Sequence, residues 1–187
     1  MSMTQVAFLK KADLPTKADI ENIINGLGYD FKILDDFESF YGIDGIECSL
    51  NGQKTFFEVY FNNPNEITNE SDFIKKDLTD QDTAVSFIWG ADFAAGASIG
   101  LISVALIDKS KALIYYLDDE IAYSKEMLLA DTPEFLKELE KQKKYSEQNK
   151  NREPKVYPKK KGFLDRIKDI FKWKTLPNSG LLQWLLP

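Results

Sequence analysis

The stretch Phe93 to Ile107, FAAGASIGLISVALI, runs for 15 residues without a charged side chain. A helix that is apolar on every side is buried on every side, so a fold for this chain has to wrap other elements around that segment. Spanning a bilayer takes roughly 20 such residues, and this run is shorter, which favours the core helix of a soluble domain. Ala94, Ala95, Gly96, Ala97 and Gly100 are small enough to let the helix lie close to a sheet, and Asp92 stands where a capping side chain belongs.

The remaining pattern supplies the sheet. Gln5 to Leu9 reads as a first strand, Thr16 as a helix cap, and Ile20, Ile23, Ile24 and Leu27 as one face of a helix that Gly28 ends. Phe31 to Leu34 reads as a short strand. Gly45 to Leu50 and Thr55 to Phe61 flank Asn51-Gly52, the dipeptide best suited to a tight hairpin turn. Asn62 to Asp82 is polar and reads as an exposed connection with one helical turn around Ser71 to Leu78. Thr83 to Ile88 reads as a buried strand and Ala112 to Leu117 as the last one. Asp131-Thr132-Pro133-Glu134 has the chemistry of a helix start, for a helix reaching about Tyr145. The expected class is α+β: a mixed, largely antiparallel sheet with helices packed on one face, plus a C-terminal amphipathic helix. The expected division is a globular domain over 1–148, a charged linker over 149–161, and a basic amphipathic helix with an apolar tail over 162–187.

Charge separates these parts. The net charge of −6 averages a body, residues 1–150, with 27 acidic and 15 basic side chains, and a tail, residues 151–187, with 3 acidic and 9 basic. A body at −12 repels nucleic acid and attracts basic proteins. Cys48 is the sole cysteine and histidine is absent, so an intrachain disulfide, a Ser-His-Asp or Cys-His nucleophile and a histidine metal site are excluded. GADFAAGASIG fits neither the dinucleotide fingerprint nor the phosphate loop. The expectation is a binding protein and not an enzyme, without metal or cofactor, located in the cytoplasm.

Two features suit recognition. Asp35, Asp36, Glu38, Asp44 and Glu47, with Asp118, Asp119 and Glu120 at the end of a strand, form acidic loops on a rigid frame. In the tail, Phe163, Leu164, Ile167, Ile170 and Phe171 recur at helical spacing beside Arg166, Lys168 and Lys172, with Trp173 following. Such a helix suits an anionic membrane, a groove on a partner, or the acidic body of its own chain. The last residues, GLLQWLLP, carry Trp184 as a natural anchor.

Val85 to Ile107, VSFIWGADFAAGASIGLISVALI, the following ALIYYLDDEIAYSKEML at Ala112 to Leu128, and the opening VAFLKKADLPTKADIENIINGLG at Val6 to Gly28 together resemble small cytosolic bacterial proteins, some of them like immunity partners of polymorphic or type VI-secreted toxins. The resemblance implies an α/β domain that neutralises a cognate protein toxin or effector by binding it with an acidic surface. Trp89, Gly90, Asp92 and Phe93 carry the shared turn, with structural roles: Gly90 permits the turn, Asp92 caps the helix and the aromatics pack. The alternative is a membrane-surface adaptor anchored by the basic C-terminal helix.

Overall fold

The computed structural model describes residues 2–37, 39–69 and 72–150 of the 187-residue chain. Glu38, residues 151–161 of the expected linker 149–161, and the tail residues Phe163, Ile167, Ile170, Phe171, Trp173 and Trp184 lie outside the described residues, while residues 149 and 150 belong to the last helix.

Seven strands form one sheet: β1 (Met3–Leu9), β2 (Phe31–Ile33), β3 (Gly45–Leu50), β4 (Gln53–Asn62), β5 (Thr83–Trp89), β6 (Leu113–Tyr116) and β7 (Ile121–Tyr123). Their order is β2-β3-β4-β5-β1-β6-β7. Each neighbouring pair is antiparallel, so the sheet, expected to be mixed and largely antiparallel, is antiparallel throughout. The reason is the placement of β1. β5 and β6 are joined by a long helix and run in the same direction, and β1 sits between them, antiparallel to both. Both edge strands are three residues long, which leaves little unpaired backbone for edge-to-edge association. β7 was not anticipated. Glu120 takes the left-handed conformation at φ 53° and turns the chain after Leu117 into it.

The helix α4 (Phe93–Ser110) is buried at every position from Ala94 to Leu106. Its Ser103 hydroxyl accepts a 2.6 Å hydrogen bond from Gln5 Nε2 on the interior strand β1, and α1 (Lys17–Gly26) and α5 (Lys125–Lys150) flank it. That enclosure accounts for the absence of charge. Gly96 and Gly100 face α5: a Cβ at Gly96 would lie 2.8 Å from the Phe135 ring, and one at Gly100 3.6 Å from Thr132 Oγ1. Gly96 and Gly100 thus admit the neighbouring helix, while α4 lies close to β1, β3, β4, β5 and β6, as its small residues led one to expect.

Local signals fix most boundaries. Thr16 accepts from Asp19 N at 3.1 Å while Asp19 accepts from Thr16 N at 3.0 Å, a reciprocal capping box. Those bonds, with Lys109 at 3.0 Å, hold the Asp19 carboxyl at about 2, below its ordinary 3.8. Asn51 and Gly52 have φ of 49° and 76°, as a two-residue hairpin requires. Asp92 caps α4 through Ala94 N at 2.8 Å and accepts a 2.6 Å bond from Thr55. Gly90 is not among the positive-φ glycines, so the turn does not depend on its freedom as the sequence suggested.

Two further expectations are corrected. The last helix begins after Ser124, whose hydroxyl accepts from Met127 N at 3.3 Å, and Pro133 lies inside it. Proline removes the donor that would reach Leu129; Thr132 bonds the neighbouring Leu128 carbonyl at 2.8 Å, and packing of Leu128, Phe135 and Leu136 against the core carries the helix through. The segment 62–82 is likewise no bare connection. It forms α2 (Pro64–Thr68) and α3 (Asp72–Lys75), whose Ile67, Phe73 and Ile74, with Leu78, cover Val6, Phe8, Ala84 and Tyr115 on the face opposite α4. Apolar residues at turn spacing outweighed the polar composition.

Candidate functional site: an aromatic and acidic sheet face

Strand β4 alternates strictly. Thr55, Phe57 and Val59 are buried towards α4, while Lys54, Phe56, Glu58 and Tyr60 are exposed on the opposite face. α2 and α3 cover β1, β5 and β6 on that face, and among the described residues no comparable apolar cover lies over β3 and β4. Phe56 is therefore 57% exposed and Tyr60 45%, large values for aromatic side chains in the middle of a sheet. An antiparallel sheet tolerates one wet face, but usually a polar one. Two aromatic rings there are an unspent hydrophobic surface.

The surroundings are acidic. Register pairs Phe56 with Glu47 and Glu58 with Gly45, and Glu58 accepts the Tyr60 hydroxyl at 2.8 Å. That bond, with the nearby Glu58 and Asp44 charges, raises the Tyr60 phenol above its ordinary value. Phe56 also lies over Gly45: a Cβ there would stand 2.5 Å from its ring, so glycine lets the ring settle on the backbone of β3. Asp44, Glu47, Glu58, Phe56 and Tyr60 form one patch.

The other expected acidic residues divide. Asp35 is structural: its carboxylate accepts from Glu47 N at 2.5 Å and its carbonyl from Lys17 Nζ at 2.6 Å, holding the β2–β3 connection to the sheet. Asp36 is exposed on that connection. Asp118, Asp119 and Glu120 are exposed in the β6–β7 turn, where Asp118 accepts from Thr4 N at 2.9 Å. Pairings of Gly45 with Glu58, Glu58 with Ile88 and Ile88 with Thr4, followed by the Leu117 N to Thr4 carbonyl bond, put both clusters at the same end of the sheet. Four strand spacings separate them, about 19 Å, so they flank a common rim without touching.

Phe56, Glu58 and Tyr60 were missed as site residues, although a signal was present. The parity of Lys54, Phe56, Glu58 and Tyr60 against Thr55, Phe57, Val59 and Phe61 marks the first set as the polar face. Among the described residues no cluster of three or more acidic or cysteine side chains is arranged to hold a metal ion. No family model, curated protein or solved structure matches this chain.

Proposed function

We propose that this chain is a protein-binding domain that occupies a basic surface of a partner protein through the open face of β3 and β4. The observation that carries the reading is the exposure of Phe56 and Tyr60 inside a ring of Asp44, Glu47 and Glu58. Aromatic anchors supply affinity when desolvated, and each ring is worth roughly 1.5–3 kcal/mol on burial. Carboxylates around them select a cationic partner and speed its approach, assisted by the −12 charge of residues 1–150. Sheet backbone holds these side chains in place before binding, which lowers the entropic cost of association.

Neutralisation of a cognate toxin, the role implied by the sequence resemblance, is the form of this function we favour. Such a protein needs a rigid acidic surface that covers a basic one and needs no chemistry of its own.

The test begins with full-length protein as bait in cytosol of its native host and with purification of the retained partner. Affinity is then measured for the Phe56→Ala, Tyr60→Ala and Glu58→Lys variants. Support consists of losses of about tenfold or more for each, unchanged melting temperatures, and an association rate that falls as salt rises. Equal affinity of all three variants and the parent for the purified partner sinks the proposal.

A further inference from the structure

A concavity lies on the other side of the sheet, between α4, α5 and the ends of β1, β5, β6 and β7. Its volume is about 170 Å³, and Trp89, Tyr116, Tyr123, Phe135, Met3 and Asp131 are among the side chains that line it. Gly96 and Gly100 form its α4 wall and leave the space open. The Trp89 and Tyr116 rings stand 6.2 Å apart at 46°. Trp89 Nε1 is sealed from solvent without a hydrogen-bond partner among the described residues, so the indole is held by packing and contributes its ring.

The electrostatics of this cleft have one sign. Tyr123 is pushed up to about 12 by burial and by the Asp131 carboxylate, with Asp119 adding to it. Tyr116 is raised by burial and by Asp118 and Asp119. The charged groups acting on both phenols are therefore carboxylates. The phenols stay neutral across the physiological range, and their rings offer negative π faces.

Four aromatic walls, one carboxylate at the mouth and two more nearby have the chemistry that suits a bulky, weakly hydrated cation. Ring faces attract such a group by cation–π interaction, worth about 0.5–2 kcal/mol each, and the carboxylate balances its charge. Space for a single benzene-sized body, on the order of 150 Å³, matches an alkylammonium head of about five heavy atoms. Strongly hydrated ammonium groups gain less, because the walls carry few acceptors to replace their water. We propose that the cleft bounded by Trp89, Tyr116, Tyr123, Phe135 and Asp131 binds a methylated ammonium group, either of a free small molecule or of a modified lysine side chain. This site is separate from the β3–β4 face, so it stands or falls independently of the partner proposed there.

The experiment uses the full-length protein and three probes: choline, its neutral isostere 3,3-dimethylbutan-1-ol, and a short peptide containing trimethyl-lysine. Binding is read by calorimetry and by the indole N–H resonance of Trp89, assigned by loss of its signal in Trp89→Phe. The expected result is a saturable shift with choline or the peptide and binding of the isostere at least tenfold weaker. Asp131→Asn, at an exposed position, is expected to weaken the cationic probe about tenfold with the melting temperature unchanged. Tighter binding of choline identifies a free small molecule as the source, and tighter binding of the peptide a modified protein. Equal affinity for choline and the isostere overturns the proposal in favour of a plain apolar hollow. Absence of any shift at probe concentrations on the order of 10 mM, where even millimolar affinity would register, overturns it outright.

Discussion

Two glycines one turn apart on α4 offer a controlled test of how closely α5 packs. Replacing either with alanine gains the same intrinsic helix stability, about 0.8–1 kcal/mol, so the difference between the variants reports the surroundings alone. At Gly100 the new methyl meets Thr132 Oγ1 at 3.6 Å, an ordinary contact, and partly fills the cleft. Gly100→Ala should therefore stabilise by about 1 kcal/mol, raising the melting temperature by about 2–4 °C for a chain of this length. At Gly96 the methyl meets the Phe135 ring at 2.8 and 3.0 Å. Carbon pairs prefer about 3.5–4.0 Å, so the ring must retreat by roughly 0.7 Å. Phe135 is packed against the core on a helix that Leu128 and Leu136 also anchor, which makes that retreat cost about 1–3 kcal/mol. Subtracting the helix gain leaves Gly96→Ala about 1 kcal/mol less stable than the parent and about 2 kcal/mol less stable than Gly100→Ala. Thermal and urea unfolding of the three proteins side by side measures the gap. A Gly96→Ala variant as stable as Gly100→Ala would refute the close contact and, with it, the described wall of the cleft.

Other consequences follow from single residues. The Asp19 carboxyl is lowered by its bonds to Thr16 and Lys109, so its contribution is complete above about 4 and is lost as pH falls towards 2. Asp19→Asn should flatten that part of an acid-unfolding curve followed by circular dichroism, and Thr16→Ala should cost about 1 kcal/mol at neutral pH. Cys48 is fully buried and its thiol is pushed up to about 11 by that burial, so a disulfide reagent at pH 8 should find no reactive thiol in the folded protein and one per chain in denaturant. The Ser98 hydroxyl is buried beside the Cys48 thiol with no nitrogen or oxygen partner among the described residues, and Ser98→Ala should leave stability within about 1 kcal/mol of the parent in urea titrations.

The candidate face shows where reading a sequence stops. Phe56 and Phe57 are adjacent, and one is exposed while the other is buried. Composition treats them alike; only parity separates them, and it does so once the strand is known to lie over α4. Acidic residues raise a different difficulty. Asp35 and Asp44 look equivalent as text, yet Asp35 is engaged by the backbone of β3 and Asp44 stands beside Tyr60. A carboxylate's role depends on which donors the tertiary fold brings to it.

What the sequence determined by itself was local or close to it. The Thr16 cap, the Asn51-Gly52 hairpin, the Asp92 cap and the burial of α4 depend on neighbouring backbone or on one segment's own composition, and they were legible for that reason. Tertiary structure decided the rest. It placed β1 between β5 and β6, carried α5 through Pro133, folded 62–82 over the second face, and left Phe56 and Tyr60 open. Each of these was settled by competition among distant surfaces for burial, where gains of a few kcal/mol from packing exceed local preferences of about one.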